Sequence, residues 1–155
     1  MRRKDKEISS GSITNEILTK SVICRLGLFD GEYPYIVPMN YGYKDNALYF
    51  HCARKGKKVD LIKRNSKAGF EIEQGYEIIK NDISCKWTTR YRSIIGTGTV
   101  EIITDSDRKK EGLNIIMKQH GSSTNVYNDK SLENVLVLKL EIGSLSAKQS
   151  EDWDL

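Results

Sequence analysis

Val22-Ile23-Cys24-Arg25-Leu26-Gly27-Leu28-Phe29 runs into Asp30-Gly31, and after Glu32 the chain continues as Tyr33-Pro34-Tyr35-Ile36-Val37-Pro38-Met39-Asn40-Tyr41-Gly42-Tyr43. In the first segment Val22, Cys24, Leu26 and Leu28 share one side of a period-2 pattern, which is the mark of a half-buried strand. Asp-Gly is the favoured dipeptide of a type I′ hairpin turn because both residues tolerate positive φ. The stretch therefore predicts an antiparallel hairpin. Pro34 and Pro38 cannot donate to a ladder, so the second arm is expected to lie at a sheet edge or to break pairing near Pro38. Either outcome leaves backbone groups of Met39 and Asn40 open to another partner.

Working outward, the turn Lys44-Asp45-Asn46 leads into a third strand over Ala47 to Cys52, with Leu48, Phe50 and Cys52 on one face and Tyr49 and His51 on the other. That strand breaks through Arg54-Lys55-Gly56-Lys57-Lys58 into a short helix whose apolar side is Val59, Leu61 and Ile62. A glycine turn into a helix start exposes N–H groups without intrahelical acceptors at the positive end of the helix dipole, and Lys57 and Lys58 add full charges there. Such a turn suits a phosphate. A plain solvated basic turn has the same composition, and the strand–turn–helix context is what favours the ligand.

Further along, Ser12 to Thr19 reads as a helix with Ser12 as N-cap and Ile13, Ile17 and Leu18 on one face. Ala68 to Glu73 alternates again, with Ala68, Phe70 and Ile72 inward, and Gln74 to Trp87 is ambiguous, with room for an irregular loop. Arg92 to Ile103 is a long strand whose Gly96 and Gly98 predict a bulge or coiled bend that lets a sheet curl toward closure. A helix is expected from about Ser106 to His120 with Leu113, Ile116 and Met117 at helical spacing and Gly121 as its C′ residue. The last strand is Val135 to Ile142. The resulting order, α-β-β-β-α-β-β-α-β, uses hairpin connections rather than repeated βα crossovers and predicts a mainly β fold built as a small antiparallel barrel.

The bulk numbers set limits. At 155 residues without repeat, low-complexity tract or linker, the chain is expected to form a single domain over 1–155. There is no apolar run near the ~20 residues that span a bilayer and no leader pattern, so no membrane association is expected. Three cysteines without Cys-x-x-Cys spacing indicate neither a disulfide framework nor a metal site, and the protein reads as cytoplasmic. Its 25 Lys and Arg face 21 Asp and Glu, a net charge of +4 without a concentrated basic block, which argues against nucleic acid.

His51 leaves its strand opposite Leu48 and Phe50, just before the anion turn, where it can touch a ligand or simply end a strand half-exposed. Cys52 beside it points the other way, so the two cannot form a Cys–His nucleophilic pair. His120 reads as a cap that compensates the helix dipole. Gly96-Thr97-Gly98 lacks the third glycine and following helix of a dinucleotide fingerprint, and no Gly-x-Ser-x-Gly, His-Glu-x-x-His or Walker sequence occurs. No side-chain set here does hard chemistry alone, so an enzyme built on this chain would rely on a cofactor. Tyr33, Tyr35, Tyr41, Tyr43, Tyr49 and Tyr91 gather near the proposed site or its approaches, and Tyr91-Arg92-Ser93 adds a cation and a hydroxyl able to bind phosphate.

The Arg-Arg-Lys-Asp start, Val37-Pro38-Met39-Asn40-Tyr41-Gly42-Tyr43, Leu48-Tyr49-Phe50-His51, Gly56-Lys57-Lys58 and Tyr91-Arg92-Ser93-Ile94-Ile95-Gly96-Thr97-Gly98 together resemble the FMN-binding split-barrel flavoproteins of the pyridoxamine 5′-phosphate oxidase-like superfamily, in the branch related to nitroimidazole-resistance proteins. The resemblance spans nearly the whole chain in order. It implies a six-stranded antiparallel split β-barrel with short flanking helices, FMN held at a homodimer interface, and a small electron-poor substrate such as a nitroaromatic. Residue by residue, it implies that Lys57, Lys58, Arg92 and Ser93 grip the phosphate, that Val37, Pro38, Met39, Asn40 and Tyr41 line the ring, and that His51 sits beside the flavin as the catalytic residue. Cys52 stands where the family pattern expects a small residue. The tail Ser150-Glu151-Asp152-Trp153-Asp154-Leu155 lacks the basic extension of true pyridoxamine phosphate oxidases, which disfavours vitamin B6 as substrate. A flavin- or haem-binding module without turnover, and a barrel binding single-stranded nucleic acid through tyrosines and lysines, are the competing expectations.

Overall fold

A computed structural model describes residues 3–151 and 153, so Arg2 of the N-terminal motif and Asp152, Asp154 and Leu155 of the tail lie outside the described residues. The hairpin is present as β1 (Ile23–Phe29) and β2 (Pro34–Lys44), with β3 (Ala47–Ala53) following. With β4 (Lys67–Ile79), β5 (Thr88–Ile103) and β6 (Val135–Ser150) they form a closed antiparallel barrel in the order β1-β2-β3-β6-β5-β4, β4 returning to β1. Alternation decides which side faces in. Cys24, Leu26 and Leu28 of β1 are buried, as are Leu48 and Phe50 of β3, Phe70 and Ile72 of β4, and Leu138 and Leu140 of β6. Each large side chain so buried contributes about 1.5–3 kcal/mol. Val22 precedes β1 and is exposed rather than inward.

The proline-marked arm behaves in two halves. From Pro34 to Asn40, β2 pairs with β1, and from Tyr41 to Lys44 it pairs with β3. The β3-facing side of β2 is thus unladdered where both prolines sit, which is where a residue without an N–H is tolerated. Beyond Phe50, β3 pairs only with β6. The barrel is closed as a ring and split locally between β2 and β3.

Helices α1 (Gly11–Lys20), α2 (Lys57–Arg64), α3 (Ser106–Gln119) and the short α4 (Asp129–Asn134) flank the sheet, with 3₁₀ turns at Lys4–Lys6 and Ser84–Lys86. The cap of α1 is Ser10, not Ser12: the Ser10 hydroxyl accepts from the Ile13 N–H and from or donates to the Ser12 hydroxyl, so Ser12 falls inside the first turn. The buried face of α3 is Gly112, Ile115 and Ile116, whereas Met117 is exposed. A Cβ on Gly42 would lie 2.6 Å from the Ile115 backbone, so this approach of α3 to β2 requires glycine. Gly121, at φ +90°, ends α3 as expected.

Gln74 to Trp87 divides in two: residues 74–79 continue β4, and residues 80–87 form an irregular connection containing the 3₁₀ turn. After a register shift between Gln74 and Tyr76, the β4–β5 ladder resumes at Tyr76 with Tyr91 and runs to Ile79 with Thr88. This ribbon carries exposed Tyr76 and Ile78, so it lacks the inside–outside alternation that marks a strand in sequence. β6 likewise extends to Ser150. The bend expected around Gly96 and Gly98 is a register shift in the β5–β6 ladder between Thr97 and Gly98.

Candidate cofactor site at the split between β2 and β3

The β2–β3 ladder stops at Tyr41 with Phe50, so Asn40 and His51 flank the point where the strands part. Both are exposed and on the outer face, as is Pro38. Val37, Met39 and Tyr41 alternate inward: Met39 and Tyr41 are buried in the core and Val37 packs against it half-buried. The Tyr41 hydroxyl donates to the Leu18 carbonyl at 2.7 Å, and burial pushes its pKa well above the usual phenol value. Of the five residues assigned to the ring, then, Pro38 and Asn40 present side chains at the split, and the others form its floor.

α2 starts at the same place. Its N-cap is Gly56, at φ +132°, a conformation that strains any residue with a Cβ, and no side chain caps it among the described residues. The first helical N–H groups to find an acceptor are those of Val59 and Asp60, both on the Gly56 carbonyl. The N–H groups of Lys57 and Lys58 therefore stand at the open helix start. Lys57 is exposed; its Nζ donates to Asp30 Oδ2 at 2.8 Å and lies 5.0 Å from the centre of the Tyr35 ring. The ammonium, the turn of the β1–β2 hairpin and β2 are thereby tied together. Lys58 is half-buried, and its charge acts on the Cys52 thiol, which burial nonetheless pushes upward. Cys52 fills a core position opposite exposed His51, so the two do not pair.

Arg92 and Ser93 are not brought to this place within one chain. Ala53 of β3 pairs with Val135, whereas Arg92 pairs with Gln149, at the other end of the 16-residue β6. Arg92 is buried: its Nε donates to Gln149 Oε1 at 2.8 Å, it faces Glu16 at 3.5 Å, and the Trp153 ring lies over it at 4.6 Å. Ser93 is buried next to it. The tyrosines also disperse. Tyr41 is core, Tyr49 touches α3 at Gly112, Tyr35 lies under Lys57, and Tyr91 lies under Lys148.

The sequence reading missed Asp30 as a member of the site, having used it only as a turn residue. It also missed an open apolar groove of about 780 Å³ on the outer face of β1, β2, β4 and β5, lined by Gly27, Phe29, Pro34, Ile36, Gly69 and Gly98. The spacing of Gly27 and Gly69, which pair across β1 and β4, was its only signal. Among the described residues, Lys67 is the one cation lining the groove, whereas Lys57 and Lys58 stand together at the start of α2.

An uncapped basic helix start beside an unladdered strand edge fits a phosphorylated planar cofactor. Residues 13–149 match the pyridoxamine 5′-phosphate oxidase family, and the chain belongs to that family, whose fold is the flavin-binding split barrel. No curated protein matches the chain. Among solved structures, a candidate 5-nitroimidazole antibiotic resistance protein from Bacteroides thetaiotaomicron is similar at 28% identity with a TM-score of 0.83, over 94% of this chain and 90% of that one. A FAD- and haem-binding protein from Mycobacterium smegmatis shares the fold at 22% identity and a TM-score of 0.86, over 96% and 75% of the two chains. A flavocytochrome from Azotobacter vinelandii does so at 16% identity and a TM-score of 0.82, over 99% and 76%. No helix among the described residues is long and apolar enough to cross a membrane.

Proposed function

We propose that this protein is an FMN-dependent oxidoreductase acting on a small electron-poor molecule such as a nitroaromatic. The observation that carries the reading is the coincidence of the uncapped, dibasic start of α2 with the unladdered edge of β2 and the exposed His51. The α2 N–H groups and Lys58 would hold the phosphate, Pro38 and Asn40 would meet the ring, and His51 would stand where a proton can pass to substrate. Bound FMN supplies the electron or hydride transfer, and the protein supplies position and electrostatics. A second copy of the chain completes the site. Arg92 and Ser93 are buried far from α2 within one chain, so any part for them at the phosphate would need a neighbouring subunit, and the glycine-lined groove with exposed Phe29, Ile36 and Ile95 is the face proposed to meet it. The likeness to the Bacteroides protein supports the nitroaromatic class.

A second reading is a flavin- or haem-binding protein without turnover, favoured by the two similar folds that bind FAD with haem or are flavocytochromes. A visible spectrum of the purified protein, before and after FMN or haem is added, separates these readings. A flavin band at sub-saturating FMN, followed by anaerobic reduction and reoxidation on adding a nitroaromatic, supports the enzyme. A colourless protein without micromolar FMN affinity removes it.

A further inference from the structure

Asp30 carries out two tasks with its two carboxylate oxygens. Oδ1 accepts the N–H groups of Glu32 at 3.0 Å and Tyr33 at 2.7 Å, which fixes the carboxylate within the β1–β2 turn. Oδ2 is left to accept from Lys57 Nζ at 2.8 Å. The lysine comes from α2, and the pair bridges that helix to the hairpin across the open side of the split. Asp30 is only 19% exposed, so the acceptor belongs to the fold and is not a freely moving surface group. The Lys57 hydrogen bond, aided by those from Tyr33 and Glu32, holds its carboxyl well below the usual range, so it is ionised at neutral pH.

The consequence is electrostatic. Lys57 already has an anion, supplied by the chain itself. A ligand phosphate monoester carries close to two negative charges at neutral pH. To engage Lys57 it must share the ammonium with Asp30 or displace it, and in either case it meets that carboxylate at close range as a like charge. Lys58, on the next helical position, has no such carboxylate bonded to it among the described residues. We infer that Asp30 is a specificity-determining residue: it latches Lys57 across the mouth of the split and discriminates against doubly charged phosphate, leaving Lys58 as the principal phosphate cation.

This rests on the flavin reading, and the test separates the two. FMN, riboflavin and inorganic phosphate are titrated into the wild type, Asp30→Asn, Lys57→Met, Lys58→Met and the Asp30→Asn/Lys57→Met double variant. Flavin binding is read by fluorescence quenching and phosphate by ³¹P NMR. Asparagine keeps Oδ1 for the turn and removes the charge. Asp30→Asn is expected to bind FMN about fivefold more tightly and riboflavin unchanged, with the gain absent when Lys57 is also replaced. Unchanged or weaker FMN binding, or a gain that survives in the double variant, overturns the inference. Lys57→Met alone reads the same claim should Asp30→Asn fold poorly. It is expected to weaken FMN binding less than Lys58→Met does, and an equal or larger loss overturns the latch. If no variant binds flavin, the proposed function fails, and phosphate then decides: tighter phosphate binding by Asp30→Asn supports the latch, and equal or undetectable binding overturns it.

Discussion

The Tyr41 hydroxyl donates to the Leu18 carbonyl at 2.7 Å and so ties the floor of the β2–β3 split to α1. The same carbonyl accepts from Gln119 Nε2 at 3.0 Å, and Gln119 also accepts the Tyr43 N–H, so α1, β2 and α3 meet at one polar knot. Tyr41→Phe leaves Leu18 its second donor and keeps the ring. The expected cost is about 0.5–1.5 kcal/mol in denaturant unfolding, with FMN affinity unchanged because the side chain faces the core. A variant as stable as the wild type that loses flavin would move Tyr41 back into the site.

What could be read in the sequence follows physical scale. The β1–β2 hairpin, β3, the basic turn into α2 and the inward faces of Leu26, Leu48 and Phe70 rest on local periodicity and turn residues, and these survive in the fold, although the hairpin closes over residues 30–33 and Asp30 does not take the positive φ of a type I′ turn. The extension of β4 through Tyr76 and Ile78 was invisible because a ribbon that buries neither face shows no alternation. The placement of Arg92 was invisible for another reason. Short-range spacing says which face a residue takes, whereas its distance from Lys57 depends on the register of β5 and β6 far along the chain. Asp30 was hidden by having a sufficient local explanation as a turn residue.

Lys58→Ala is expected to weaken FMN binding by roughly 1.5–3 kcal/mol while leaving riboflavin binding nearly unchanged, since only the phosphate loses a charge-assisted contact. Parallel titrations of the two ligands check this. Equal losses would place the lysine away from the phosphate.

Light scattering of the FMN-bound protein is expected to give twice the mass of one chain. The apolar groove with exposed Phe29 and Ile36 is the surface that a charge tests best: Ile36→Glu should shift the protein toward monomer and lower FMN affinity together. A monomer that holds FMN as tightly as the wild type would contradict a shared site.

Alkaline pH is expected to destabilise the fold. Burial pushes the Cys24 thiol up to about 12, against about 8.5 for a free thiol. A raised folded pKa means that the neutral form is the native one, so the contribution is complete below the unfolded value and is lost as pH climbs from there toward the folded value. Buried Tyr41 acts in the same direction. Thermal melts should therefore show a lower Tm at about pH 10.5 than at pH 8, and the drop should shrink in Cys24→Ala, although that variant begins less stable.

His51 is exposed on the outer face of β3, opposite Leu48 and Phe50, where the β2–β3 ladder ends. Its backbone pairs with Val137 and its side chain supports no core contact that removal would collapse, so His51→Ala is expected to fold with a Tm close to that of the wild type. The proposed phosphate contacts lie at the start of α2, further along the chain, so FMN occupancy should also hold. What the variant loses is an imidazole able to donate or accept a proton at the mouth of the split. Nitro-substrate turnover is expected to fall by about 10²-fold, within the range typical of a positioned acid or base, with the larger part in kcat. His51→Gln, which keeps a hydrogen-bond donor but cannot titrate, should bind FMN as the wild type does and remain slow. Loss of flavin in either variant would make His51 a cofactor-holding residue, and full activity in both would leave it no part in the chemistry.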